Sequence, residues 1–134
     1  MDNSYLLKLP MKSINNFVKL KLMEHDPYIK LESVGISFKN NFYDFRVSKA
    51  VTNFELVEDP QLFLDKNIHI NQINTEEIFL CIVFKNYFEI YIIDYNVLAI
   101  FQNRMTSQHG KDQFQLHIPY REIKERCLYS KKIL

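Results

Sequence analysis

The densest run of chemistry-bearing side chains is Ser107-Gln108-His109-Gly110-Lys111. A hydroxyl, an amide and an imidazole beside a glycine, followed by an ammonium group, can meet a phosphate oxygen or a base edge. Arg104 before the run and Arg121 after it add positive charge, so Arg104, Ser107, Gln108, His109 and Lys111 form a candidate nucleic-acid contact. The competing reading is a solvated polar loop. His117 follows on a segment whose alternation puts Phe114, Leu116 and Ile118 on one face and the imidazole on the other. His25 and His69 have no partners at metal-ligand spacing, and Cys81 and Cys127 lack CxxC spacing. Neither a zinc site nor a disulfide framework is expected, and the two cysteines read as free thiols of a cytoplasmic chain.

The bulk composition narrows the classes further. At 134 residues the chain has the length of one domain, since single cores serve roughly 100–200 residues. Hydrophobic residues make up 47% and charged residues 25%, a balance that allows a core and a solvated surface. The only glycines are Gly35 and Gly110, so a glycine-built phosphate cradle of the P-loop or Rossmann kind is excluded. A net charge of +1 gives no global attraction to nucleic acid or to an anionic membrane, and any such contact must use a local patch. The start, MDNSYLLKLPMKS, lacks the pattern of a secretory signal. The longest apolar run, Ile78 to Phe84, falls far short of the ~20 residues that span a bilayer, so no membrane partner is expected. The excess of Asn, Lys, Ile, Phe and Tyr is that of an AT-rich coding sequence, which suggests a low-GC bacterium, phage or plasmid.

Hydrophobic spacing supplies the elements. Ser13 precedes Ile14, Phe17, Val18 and Leu22 at helical intervals, which predicts a capped helix over about 13–25, stopped by Pro27. From Tyr28 to Val57 the chain reads as three antiparallel strands, 28–38, 42–48 and 51–58, with breaks at Gly35, Asn40-Asn41 and Lys49-Ala50. Asp59-Pro60 opens a turn, Gln61 to Asp65 reads as a helical turn at most, and Lys66 to Thr75 is a polar connection. Ile78 to Phe84 is apolar at every position, the mark of a central strand buried on both faces, and Lys85-Asn86 turns it into a hairpin with 87–93. A short helix at 95–103, a strand at 113–118 and a helix opened by Pro119 and running from Arg121 to Lys132 complete the chain. The order α, β, β, β, turn, β, β, α, β, α predicts an α/β (α+β) fold, a mixed and mainly antiparallel sheet flanked by helices.

That order, with Tyr43-Asp44-Phe45-Arg46-Val47 as one strand and Asn53-Phe54-Glu55-Leu56-Val57 as the next, resembles the PD-(D/E)XK nuclease superfamily, the fold of many type II restriction endonucleases. The stretch from Tyr87 to Leu98 and the segment Thr106 to Pro119 are similar to the later part of such enzymes. The resemblance implies a restriction-endonuclease-like sheet in which Asp44 and Glu55, eleven residues apart, hold Mg²⁺ against a scissile phosphate of DNA. Glu24, late in the first helix, would be a third metal ligand, as a helix-borne acid is in some members. The motif's lysine falls on Val57, which leaves Lys49 or Lys85 to supply its charge. Without that charge the chain would be a catalytically degenerate relative. The plain alternative is that Asp44 and Glu55 are exposed strand or turn residues, with Arg46 a cross-strand or local ion-pair partner for Asp44.

Two features point elsewhere. Arg121, Lys124, Arg126, Lys131 and Lys132 outnumber Glu122 and Glu125, which suits phosphates but also the negative end of a helix dipole. Tyr87, Phe88, Tyr91 and Tyr95 are more aromatic surface than one core face needs, and fit a protein partner. The functions carried forward are a nuclease-like domain that binds or cleaves DNA, a small immunity or inhibitor protein that neutralises a toxin or defence nuclease, and an accessory subunit of a larger enzyme. Their partners are DNA, a toxin or enzyme subunit, or a second copy of the chain.

Overall fold

The computed structural model describes residues 1–33, 35–50, 54–66, 77–100, 106–107 and 114–134. Through these the chain forms α1 (Ser4–Lys8), α2 (Met11–His25), β1 (Ile29–Leu31), β2 (Ile36–Phe38), β3 (Asn41–Lys49), a 3₁₀ turn (Phe54–Leu56), β4 (Gln61–Lys66), β5 (Glu77–Val83), β6 (Phe88–Asp94), α3 (Tyr95–Ile100), β7 (Thr106–Ser107), β8 (Phe114–Pro119), α4 (Tyr120–Arg126) and β9 (Tyr129–Ile133). The fold is mixed α/β and its sheets are mainly antiparallel, as the residue pattern predicts.

The continuous apolar run dictates the layering. In β5, Phe79, Cys81 and Val83 turn to one face while Ile78, Leu80 and Ile82 turn to the other, and all six are at most 2% exposed. A strand with no polar face must sit inside a sheet and be covered twice. β5 accordingly lies within the order β1-β2-β3-β5-β6-β9. α1 and α2 cover the first face through Leu6, Ile14, Val18 and Leu22, and the smaller sheet β4-β8-β7 with α4 covers the second through Leu62, Ile118 and Ile123. Each fully buried aliphatic or aromatic side chain contributes roughly 1.5–3 kcal/mol, so both covers are strongly favoured.

Local chemistry explains the boundaries. Leu9 is held extended before Pro10, which separates α1 from α2, and with Pro10 at its N-cap α2 begins at Met11, two residues ahead of the start expected at Ser13. Asp26, extended before Pro27, ends the helix as expected. β2 and β3 are joined by Lys39-Asn40, both at positive φ (51° and 67°), the geometry of a type I′ turn. Gly35 has φ +75°, and a Cβ there would lie 2.3 Å from the Tyr43 carbonyl oxygen, so only glycine fits. The hairpin of β5 and β6 turns through Lys85-Asn86, closed by the Phe84 N–H donating to the Tyr87 carbonyl at 3.0 Å.

Three expectations are corrected. No third antiparallel strand follows β3: residues 51–53 lie outside the described residues, 54–56 form the 3₁₀ turn, and Leu56 and Val57 are exposed. The chain crosses here to the second sheet, and the strand that pairs with β3 on its far side is β5, in parallel register. Gln61–Lys66 is a strand and no helical turn, because β8 offers it a ladder that pairs Leu62 with Ile118. The closing helix stops at Arg126, and Tyr129–Ile133 is a strand that completes the free edge of β6 and buries Ile133 opposite Phe88. Pairings so distant in sequence override local propensity.

The six-stranded sheet also curls until its two ends meet. Phe38 of β2 packs on Tyr129 of β9 with centroids 5.5 Å apart, and Lys39 lies 4.9 Å over the same tyrosine ring. Lys131 Nζ donates to Asp26 Oδ2 at 3.0 Å, joining β9 to the end of α2. The Asp26 side chain is 1% exposed, and its charge is made tolerable by this cation at Oδ2 and by the Tyr28 N–H, which donates to Oδ1 at 3.0 Å. The hydrogen bond to Asp26 raises the Lys131 pKa above its ordinary value, outweighing desolvation. A cation held above its unfolded pKa stabilises the fold below that value and ceases to do so as pH rises through the folded one. Wild type is therefore expected to exceed Lys131→Met in stability by about 1–2 kcal/mol near neutral pH, the gap narrowing above the ordinary lysine value of 10.5. Urea denaturation across alkaline pH checks this, and a gap unchanged through that range contradicts it.

Candidate functional site

The residues expected to share a metal lie on three different elements. Asp44 lies in β3 in register with Ile78, which turns it to the face opposite Tyr43, Phe45 and Val47. Its side chain is 9% exposed, and Oδ2 accepts a hydrogen bond from Arg46 Nε at 3.1 Å. The solvent-facing strand acid is thus not what Asp44 is; it is a buried, paired one. Glu55 is the middle residue of the 3₁₀ turn, which pairs with neither edge of β3, and its side chain lies outside the described residues. Glu24 is exposed on α2, which covers the face that Asp44 turns away from. No group of three potential metal ligands converges among the described residues.

The candidate lysines are also placed. Lys49 ends β3, five residues from Asp44 and therefore on the other face, and its Nζ donates to the Leu9 carbonyl, tying β3 to the junction of α1 and α2. Lys85 is exposed at the β5–β6 hairpin tip. Lys19 was not singled out from sequence: it is a buried lysine of α2, 5.5 Å over the Phe45 ring, and burial lowers its pKa against the opposing field of Asp44. In the polar loop only Ser107 falls among the described residues, as part of β7 opposite Phe114. Arg104, Gln108, His109 and Lys111 lie outside them. Cys81 is fully buried, which pushes its thiol pKa well up and leaves it a poor nucleophile.

A different cluster is assembled where β6, β9 and α4 meet. Glu89 and Tyr91 are two apart in β6 and so share a face, and the Tyr91 hydroxyl donates to Glu89 Oε2. Tyr120, the first residue of α4, donates its hydroxyl to the same carboxylate. The Tyr120 phenol thereby fastens the helix to the sheet, and the Tyr91 phenol holds the same carboxylate from within β6. Burial, followed by the hydrogen bonds to Glu89 and Tyr120, pushes the Tyr91 pKa far above the ordinary tyrosine value.

Around this lock runs a continuous line of rings and cations. Lys132, paired across the ladder with Glu89, places its ammonium 4.2 Å from the Tyr87 ring centroid. Tyr87 stacks on Phe84 at 4.5 Å with an interplanar angle of 12°, and Phe84 meets Tyr120 at 6.4 Å. Lys124, one turn along α4, lies 4.3 Å over Tyr120. Lys85 is exposed at the adjoining hairpin tip. Lys85, Lys124 and Lys132 have no carboxylate within ion-pair distance among the described residues, whereas Arg121, Arg126 and Lys131 are paired with Asp59, Glu122 and Asp26.

The sequence held two halves of this surface, the aromatic run after Lys85 and the basic C-terminus. Their union depended on reading Tyr129–Ile133 as a strand against β6. The missed signal is the alternation of Tyr129, Lys131 and Ile133, which a helix leaves without a common face.

No family model, curated protein or solved structure matches this chain. No described helix is long and apolar enough to cross a membrane.

The phenol lock is open to direct test. In an alkaline absorbance titration Tyr91, and Tyr43, whose pKa burial also raises, should ionise late, and Tyr91→Phe should remove part of the late phase. Ionisation of all eight tyrosines in a single step near the ordinary value of about 10, with the fold intact, contradicts the arrangement.

Proposed function

We propose that this chain is a DNA-binding domain of restriction-endonuclease-like kind that grips DNA through the face formed by β6, β9 and α4 and does not cut it unaided. The observation that supports this reading is the unbroken line Lys132, Tyr87, Phe84, Tyr120, Lys124, in which two ammonium groups rest on tyrosine rings. Lysines supply the sequence-independent attraction to phosphate, and aromatic faces supply stacking for exposed bases. A base that takes the place of Lys132 on the Tyr87 ring releases that ammonium for the adjoining phosphate. Lys85 at the hairpin tip extends the same positive edge.

The binding half of the nuclease reading has more support than the cutting half. A Mg²⁺ ion would have to take Asp44, whose side chain is 9% exposed, from Arg46. The missing motif lysine, at Val57, points the same way.

The test is binding of a labelled oligonucleotide followed by fluorescence anisotropy across a salt series. With three lysines engaged, log K should fall against log salt with a slope of roughly −2 to −3. Lys124→Glu with Lys132→Glu should weaken binding by at least tenfold and flatten the slope. Binding that ignores both changes would overturn the assignment of this face. In parallel, incubation with Mg²⁺ or Mn²⁺ should leave the DNA intact, and cutting that Asp44→Ala abolishes would restore the metal-dependent reading.

A further inference from the structure

Three rings from distant parts of the chain converge on one ammonium group. Lys39 Nζ lies 4.9 Å from the ring centroid of Tyr129, 5.2 Å from that of Phe38 and 5.9 Å from that of Tyr28. Tyr28 precedes β1, Phe38 ends β2 and Tyr129 opens β9, so the cluster sits at the seam where the curled sheet meets itself. Its walls are held in place. Phe38 is 1% exposed, and its ring is tilted 50° to that of Tyr129 with centroids 5.5 Å apart. The Tyr28 backbone is tied twice: its N–H donates to Asp26 Oδ1, and its carbonyl accepts from the Lys39 N–H at 3.2 Å. The Tyr28 residue is 60% exposed, which leaves that wall open to solvent.

The rings hold a cation that has no counter-charge. Lys39 has no carboxylate within ion-pair distance among the described residues, and Lys131, which lies near Tyr28 and Tyr129, is neutralised by Asp26. The turn does not call for lysine, because a φ of 51° at this position suits Asn, Asp or Gly better. Cation–π attraction acts within about 6 Å of a centroid, and all three rings meet that limit. A primary ammonium is a compact, strongly hydrated charge and so an imperfect occupant. A quaternary ammonium sheds water more readily and lays methyl groups on the ring faces, which is the chemistry aromatic cages recognise. Lys39 is exposed, on a flexible stem, and can swing out without breaking an ion pair among the described residues.

We propose that Tyr28, Phe38 and Tyr129 form a binding site for a trimethylammonium group, with Lys39 as the resident cation that such a ligand displaces. The site is separate from the DNA-binding line. None of the three rings belongs to that line, and Tyr129 turns to the face of β9 opposite Lys132.

The experiment is titration of the full chain with choline, followed by aromatic ¹H–¹³C NMR, with neohexyl alcohol, the uncharged carbon isostere of choline, as the control. Choline should shift the ring signals of Tyr28, Phe38 and Tyr129 saturably, and the alcohol should not. Lys39→Asn keeps the turn and empties the cage, so it should bind choline roughly fivefold more tightly. Tyr28→Ala, at the exposed wall, should lose the saturable shifts while its thermal melting profile stays that of wild type. Free Nε-trimethyllysine, titrated in parallel, distinguishes the two carriers of this group by which binds more tightly. The proposal is overturned by the absence of saturable shifts in both wild type and Lys39→Asn, by equal binding of the alcohol, or by choline binding that Tyr28→Ala leaves untouched.

Discussion

The molecule is organised by one strand that has no side for water. Ile78 to Val83 alternates between two cores without a polar residue, and a sheet exposing either face would leave several large apolar side chains hydrated at roughly 1.5–3 kcal/mol each. Everything else answers that demand. The N-terminal helices close one face, and the excursion through β4, β8 and α4 closes the other. The parallel pairing of β3 with β5 follows, since a chain that leaves β3 to build the second cover returns from the far side.

The same layering separates the chemistry. β3 turns Tyr43 and Phe45 towards α2 and its charged residues, Asp44 and Arg46, towards the second core, where they neutralise each other. An acid held in this way is a structural ion pair, costly to disrupt from either side. Glu89 is treated differently: it stands at the rim, gripped by two phenols, and the rings that grip it belong to an aromatic line capped by lysines with no carboxylate partner among the described residues. The buried pair is internal to β3, and the rim cluster offers a surface. Curling of the sheet, secured by Lys131 on Asp26, positions β9 so that neighbouring Lys132 reaches Tyr87.

Much of this architecture was legible from residue order alone. The seamless apolar run announced the central strand, Lys85-Asn86 marked its hairpin, and Pro27 ended the long helix. What could not be read was pairing across sequence distance. Gln61–Lys66 looks like nothing until β8 lies beside it, and Tyr129–Ile133 follows so closely on a helical stripe that only the vacant edge of β6 distinguishes it. Those two strands decide the site as well: without the second, the lysines at the C-terminus continue a helix and never meet Tyr87. The third strand expected at 51–58 rests on consecutive strands pairing, and the chain instead changes sheets after β3.

The claim on which the functional account turns is that the rim of β6, β9 and α4 is where the ligand lies. Amide chemical-shift mapping of the ¹⁵N-labelled chain against a short single-stranded oligonucleotide addresses it residue by residue. The account predicts shifts concentrated at 84–91, 120–124 and 129–132, with β3 around Asp44 silent. Shifts centred on β3 and the 54–56 turn, or none at all at low salt, would contradict it.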